Sequence, residues 1–171
     1  MNWSLKKKEF VCFFIASILG VLSHFVYDWS NENAVVGLFF PFNESTWEHL
    51  KLIFFPIMFV SLVEYFYIHS SQKDSFICIK LYSALLAMAL TIVLFYTYSG
   101  ILGKNSDVLN ILIYFISMAS AYVFSFKKLN TKKQYFYAPK TCYIGFAVLT
   151  LLFIVFSIFP PSIGLFQSPL Q

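Results

Sequence analysis

Five uninterrupted apolar stretches, each about as long as a bilayer is thick, constrain this chain more than any other feature of its sequence. A hydrocarbon core about 30 Å across needs roughly 20 apolar residues of helix to span it. The stretches run from about Phe10 to Tyr27, Trp47 to Ile68, Phe76 to Tyr98, Val108 to Phe126 and Thr141 to Phe159. Backbone polar groups in hydrocarbon have no water to bond, so segments of this kind are helices. Composition removes the alternatives. Of 171 residues, 59% are hydrophobic and 12% charged, half the charged share of about 25% usual in soluble domains. A soluble globular domain, a disordered chain, a collagen-like repeat and a secreted disulfide scaffold are excluded. The predicted fold class is all-α: a polytopic membrane protein with five transmembrane helices, one integral membrane domain over residues 1–171.

Lysine placement gives the orientation. With the N-terminus inside, Lys6, Lys7, Lys8, Lys73, Lys80, Lys127, Lys128, Lys132, Lys133 and Lys140 are cytoplasmic, and only Lys51 and Lys104 lie outside. The expected topology is therefore N-in and C-out in a bacterial plasma membrane, and the Arg-free, Phe- and Lys-rich composition points to an AT-rich bacterial genome. Trp3 marks the inner interface, Trp29 and Trp47 the outer one. The first stretch comes after three lysines as a signal peptide would, but no small-x-small cleavage site succeeds it, so it is read as a mature helix. The basic residues form no nucleic-acid patch, and the lack of Arg argues against bidentate phosphate binding. Cys12, Cys78 and Cys142 fall near cytoplasmic helix ends, where thiols stay reduced, and no disulfide is expected.

Small residues mark where membrane helices approach closely. Ala16, Gly20 and His24 recur at four-residue steps, with Asp28 one turn later; Ser83, Ala87 and Thr91 form a second row, and Ser117, Ser120 and Ala121 a third. Pro56 deletes the helical bond to the carbonyl of Leu52. No internal repeat is visible, so an inverted-repeat transporter is not supported. The interior of the third to fifth helices offers only Ser, Thr and Tyr, which counts against an ion or proton pathway.

The informative stretch is the connection Asp28 to Thr46, too long for a simple turn and too apolar for disorder. Its segment 34–42 is too short to span and is expected to lie at the interface or re-enter, roofing the start of the second helix. That start reads Asn43-Glu44-Ser45-Thr46-Trp47-Glu48-His49-Leu50-Lys51. Asn43 suits an N-cap and Ser45-x-x-Glu48 a capping box. Trp47 reads as a belt anchor and Lys51 as a residue snorkelling to the surface. Capping does not account for two Glu, one His and one Lys at the start of a membrane helix. Glu44, Glu48 and Lys51 are spaced i, i+4, i+7, and His24, Asp28, Tyr98 and Asp107 reach the same rim from other helices.

Ionisable groups in a membrane bundle pair with each other or serve function. Three readings stay open: a divalent metal site built from His24, Asp28, Glu48 and His49; a His–carboxylate acid–base pair with Lys51 stabilising negative charge; and a structural network, as in an assembly subunit. Elsewhere, Glu64 is expected to pair with Lys80, His69 lies about 30 Å from His49 along the helix, and the loop from Lys127 to Lys140, with Tyr135, Phe136 and Tyr137, reads as a topology determinant or an anionic-lipid contact.

These residues carry a resemblance. His24, Tyr27, Asp28, Trp29 and Ser30, and then Asn43, Glu44, Ser45, Trp47, Glu48, His49 and Lys51, resemble the H-x-x-Y-D-W-S and N-E-S-x-W-E-H-x-K signatures of a family of small bacterial multi-pass membrane proteins of unknown function. Tyr98-Ser99-Gly100-Ile101-Leu102-Gly103 and Phe159-Pro160-Pro161 are similar as well. The resemblance implies a longer ending with an acidic residue after Leu165-Phe166, where this chain has Gln167-Ser168-Pro169-Leu170-Gln171. A fainter likeness, by analogy, is to the eukaryotic emopamil-binding and sigma-2 group, through the H-x-x-x-acid pair and the W-E segment. Neither resemblance brings an activity to this chain. The expectation is an outer-rim polar pocket of His24, Asp28, Glu44, Glu48, His49 and Lys51 that binds a small or lipid-like ligand, with catalysis left open. The expected partners are the bilayer and that ligand, with no nucleic acid; self-association as a homo-oligomer is left open.

Overall fold

The apolar stretches form helices in a computed structural model that describes residues 4–68, 73–131 and 138–169. In chain order these are α1 (Leu5–Trp29), a single turn α2 (Ala34–Gly37), α3 (Thr46–Tyr67), α4 (Lys73–Leu102), α5 (Asp107–Leu129), α6 (Pro139–Ile158) and a 3-10 turn at Gly164–Phe166. The five long helices are long and apolar enough to cross a membrane, and no strand occurs among the described residues. Helices overrun the expected spans where lysines can extend them into water: α1 begins ahead of Phe10 and carries Lys6, Lys7 and Lys8. The 30 residues of α4 measure about 45 Å at 1.5 Å per residue. Trp3, His69, Lys132, Lys133, Tyr135, Phe136 and Tyr137 lie outside the described residues.

The chain order makes α1, α4 and α6 run one way and α3 and α5 return. One end of the bundle, the lysine-rich end, therefore collects most of the lysines. The other, the acidic end, collects Asp28, Glu32, Glu44, Glu48 and Asp107.

The central helix is α3, packed against α1, α4 and α6. Its Leu50, Ile53, Phe54 and Phe55 meet Ala16, Ala84, Ala87, Met118, Ala121 and Phe153 from the other four helices. The small-residue rows are thus contact faces, and Thr91 Oγ1 donates to Ser117 Oγ at 2.8 Å across the α4–α5 seam. On the outer faces Phe14, Ile18, Val63, Phe66, Val93 and Ile116 are exposed.

Gly20 marks a tight crossing of α1 over α3. A Cβ there would lie 2.4 Å from the Leu52 carbonyl oxygen and against the Tyr114 hydroxyl. Leu52 is the residue whose carbonyl loses its helical donor to Pro56. The proline thus leaves a bare carbonyl on α3, and only glycine lets the α1 backbone come up against it. Tyr114 of α5 closes the same junction, donating to the Ser17 carbonyl at 2.9 Å.

Two expectations are overturned. Cys78 and Cys142 form a disulfide, although their compartment argued for free thiols; Cys12 is free. The reason is helix spacing. One turn beyond each cysteine, a Cβ on Gly145 would lie 2.7 Å from Leu81 Cδ2, so α4 and α6 are close and the two cysteine Cα atoms are 5.2 Å apart, within bridging range. The interior of α4 also carries more than Ser, Thr and Tyr, because Lys80 is only 1% exposed. Alkylation of the unfolded chain is expected to capture one thiol without reductant and three with it; three in both cases would exclude the bridge.

Candidate functional site

The start of α3 is organised by two local bonds. Asn43 Oδ1 accepts from the Ser45 amide at 2.9 Å, turning the chain, and Ser45 Oγ caps the helix by accepting from the Glu48 amide at 3.3 Å. Of the two capping signals, Ser45 is the N-cap and Asn43 makes the turn before it. Only half of the capping box forms. The Glu48 carboxylate turns away from the Ser45 amide and into the bundle.

There Glu48 is 2% exposed and meets Lys51, which is 1% exposed. Lys51 Nζ donates to Glu48 Oε2 at 2.6 Å and to the Gly37 carbonyl at 2.8 Å. Ser157 Oγ of α6 lies 2.9 Å from Glu48 Oε1, and the Phe42 amide is 3.4 Å from Oε2. Lys51 therefore does not snorkel to the surface. It is held under the 34–42 segment, whose backbone supplies part of its coordination. Trp47 packs on Phe153, Phe156 and Phe166, tying α3 to α6 and the 3-10 turn, and its indole N–H is buried without a hydrogen-bond acceptor among the described residues.

The opposite side of α3 presents a different set. His49 Nδ1 lies 3.0 Å from the Ser45 carbonyl and its Nε2 lies 3.4 Å from Glu44 Oε2. The His24 ring of α1 stands edge-on to His49, with centroids 5.3 Å apart. One ligand atom from each of His24, Glu44 and His49 lies within 4.8 Å of the other two. Glu44 precedes the helix, so its spacing from Glu48 and Lys51 does not place it on their face. The predicted cluster is thus divided: Glu48 and Lys51 on one side, His24, Glu44 and His49 on the other, and Asp28 exposed at the end of α1 with no ion pair among the described residues.

The histidine side opens onto a cleft of about 440 Å³ between α1, α3, α4 and α5. Gly20, Leu52 and Tyr114 of the tight junction line it, with walls that include Val21, Phe95 and Ile111 and a rim that includes Asp107. Tyr98 reaches the same end from α4. Its hydroxyl sits between Asn105 Oδ1 and Asn110 Oδ1, and Asn110 Nδ2 donates to Asn105 at 2.9 Å. Asn105 and Asn110 carry no titratable group and so gave no sequence signal, although they are rim groups of this cleft.

A family model described as a family of unknown function, DUF6512, matches residues 1–171. The chain belongs to DUF6512. No curated protein and no solved structure matches it.

This DUF6512 member holds a second buried charge cluster at its lysine-rich end. Lys80 Nζ donates to Glu9 Oε1 and Oε2 at 2.9 and 3.1 Å and contacts Glu64 Oε2 at 2.8 Å in poorer alignment. The expected Glu64–Lys80 pair is present. Glu9 is the addition that sequence reading missed, since a Glu directly after three lysines looks like a solvated residue. It is recognisable in retrospect as seven residues, two turns, ahead of the buried Ala16.

Removing one member of a buried ion pair strands the other, typically at about 3–5 kcal/mol, whereas replacing both with apolar or neutral groups costs far less. Glu48→Gln and Lys51→Met alone are each expected to lower the melting temperature in detergent sharply, and the double variant to recover most of the loss. Additive losses in that cycle would show that the pair is not coupled.

Proposed function

We propose that this DUF6512 member binds an amphipathic, lipid-like ligand in the cleft between α1, α3, α4 and α5. The single observation that carries this reading is the cleft's division into apolar walls and a polar mouth. About 440 Å³ is within the range of roughly 300–1,000 Å³ common for small-ligand sites. The apolar tail would lie against Val21, Phe95, Ile111 and Phe115, and a polar head would reach His24, His49 and the Asn105–Asn110 pair. Val21→Trp together with Ile111→Trp fills the cleft from partly exposed positions. Native mass spectrometry of the detergent-extracted protein is expected to show a retained amphiphile in the wild-type chain and about tenfold less in the filled variant. Equal retention in both, or none in the wild-type chain, would dispose of the reading.

The orientation we propose is N-terminus in the cytoplasm and C-terminus outside, in a bacterial plasma membrane, because among the described lysines only Lys51 and Lys104 lie away from the lysine-rich end. The disulfide pulls the other way, since cytoplasmic thiols are kept reduced. Cys78 and Cys142 are 0% and 3% exposed in the α4–α6 seam, which denies a thiolate reductant access, so the lysine count is given the greater weight. Cysteines placed by Lys104→Cys and Lys140→Cys, both at exposed sites, test it with an impermeant maleimide on intact cells. The first is expected to label and the second to stay protected until the membrane is opened; the reverse pattern inverts the topology.

A further inference from the structure

We propose that His24, Glu44 and His49 hold a divalent transition-metal ion of the zinc type at the mouth of the cleft. The ion's remaining coordination position would face the cleft and take an anionic oxygen, carboxylate or phosphate, of the bound head group. The ion site stands on its own geometry; only the head-group assignment rests on the ligand reading.

Three features carry the site. The first is spacing. Two ligand atoms each about 2.1 Å from a tetrahedral ion are about 3.4 Å apart, and His49 Nε2 and Glu44 Oε2 are separated by 3.4 Å. His24 completes the set within 4.8 Å, close enough for a rotation of partly exposed side chains to bring it in.

The second is orientation. His49 Nδ1 is 3.0 Å from the Ser45 carbonyl. Donation there, the outer bond that metal-binding histidines characteristically make, leaves the Nε2 lone pair directed toward Glu44. The acceptor is the carbonyl of the N-cap residue, so the helix start itself aims the ring. An imidazolium bridging Ser45 and Glu44 would make the same two contacts. The two states differ by the proton on Nε2, and a metal ion takes that proton's place.

The third is the number of ligands. Two imidazoles and one carboxylate suit borderline divalent metals and leave a position for an exchangeable ligand. With neutral histidines, a dication and one carboxylate give the site a net charge of +1, which favours an anion. The position of His24 is a consequence of the fold: it lies one turn beyond Gly20, where α1 comes close against α3, just as His49 lies one turn from Leu52.

The experiment uses the full chain, purified without a polyhistidine tag, stripped with chelator and titrated with Zn2+ and with Co2+. About one equivalent is expected to survive desalting by elemental analysis, with Co2+ giving visible d–d bands. His24→Ala, His49→Ala and Glu44→Gln are each expected to weaken binding by at least about tenfold, since ligand loss costs no less than the 10–100-fold seen for outer-shell partners. Asp28→Asn is expected to bind as the wild-type chain does. Absence of retained metal, or equal retention in the three ligand variants, would overturn the site. Should a ligand variant fail to fold, carbethoxylation of the wild-type chain supplies the answer: Zn2+ is expected to protect His24 and His49, and no protection would count against the site. The cleft-filled Val21→Trp/Ile111→Trp chain separates the two proposals. Metal retained with amphiphile lost in that chain supports both, whereas an amphiphile bound without metal in the wild-type chain overturns this one alone.

Discussion

A charge inside an apolar bundle must be paired, and α3 meets that constraint near both of its ends. At the acidic end Glu48 and Lys51 neutralise each other, and the Gly37 carbonyl, the Phe42 amide and Ser157 add further hydrogen bonds to the pair. Those partners come from the 34–42 segment and from α6, so the pair fixes both against α3. At the lysine-rich end, 16 residues and about 24 Å along the helix, Glu64 meets Lys80 of α4, which also holds Glu9 of α1. Ion pairs thereby tie α1, α3 and α4 together, and the Ser157 hydroxyl joins α6 to the Glu48 carboxylate. Such groups are costly to bury, and a helix shifted by one residue would strand a charge among apolar side chains.

Between these clusters the crossing of α1 over α3 is set by absence rather than attraction. Pro56 takes away the Leu52 carbonyl's helical donor, and Gly20 removes the side chain that would hold α1 off. Tyr114 fills the space from α5 and bonds to α1. Beyond this junction toward the acidic end, α1, α3, α4 and α5 surround open space rather than one another, which is the cleft. The two histidines sit one turn past the junction, so the same close approach that closes the middle of the bundle brings His24 and His49 together at its mouth.

The cover segment links the two sides of α3. Phe42 and Gly37 contribute backbone atoms to the Glu48–Lys51 pair, and the next few residues carry Asn43, Glu44 and Ser45. The turn that presents Glu44 to His49 is thus continuous with the segment that the buried pair holds. The buried pair is therefore structural in its contacts and positioning in its consequence. The residues facing the cleft are the ones free to meet a ligand.

The helices and the interest of the Asn43–Lys51 stretch were legible in the sequence because both depend on local rules. A helix of about 20 apolar residues satisfies its own backbone, and Ser45-x-x-Glu48 caps its own first turn. Glu64 with Lys80 was legible too, from charge scarcity. The partition of the polar residues was not. Glu44 looked helical by spacing but lies before the cap; Lys51 looked able to snorkel but has Glu48 and Gly37 above it; Cys78 and Cys142 looked reduced by compartment but are held 5.2 Å apart by a seam that Gly145 makes narrow. The sequence by itself determined which segments are helices and which residues are too polar to be left among apolar side chains without a partner, because those depend on each segment's own backbone and side chains. The tertiary structure alone decided which polar group meets which, because that depends on helix crossings set by single residues far away in the chain.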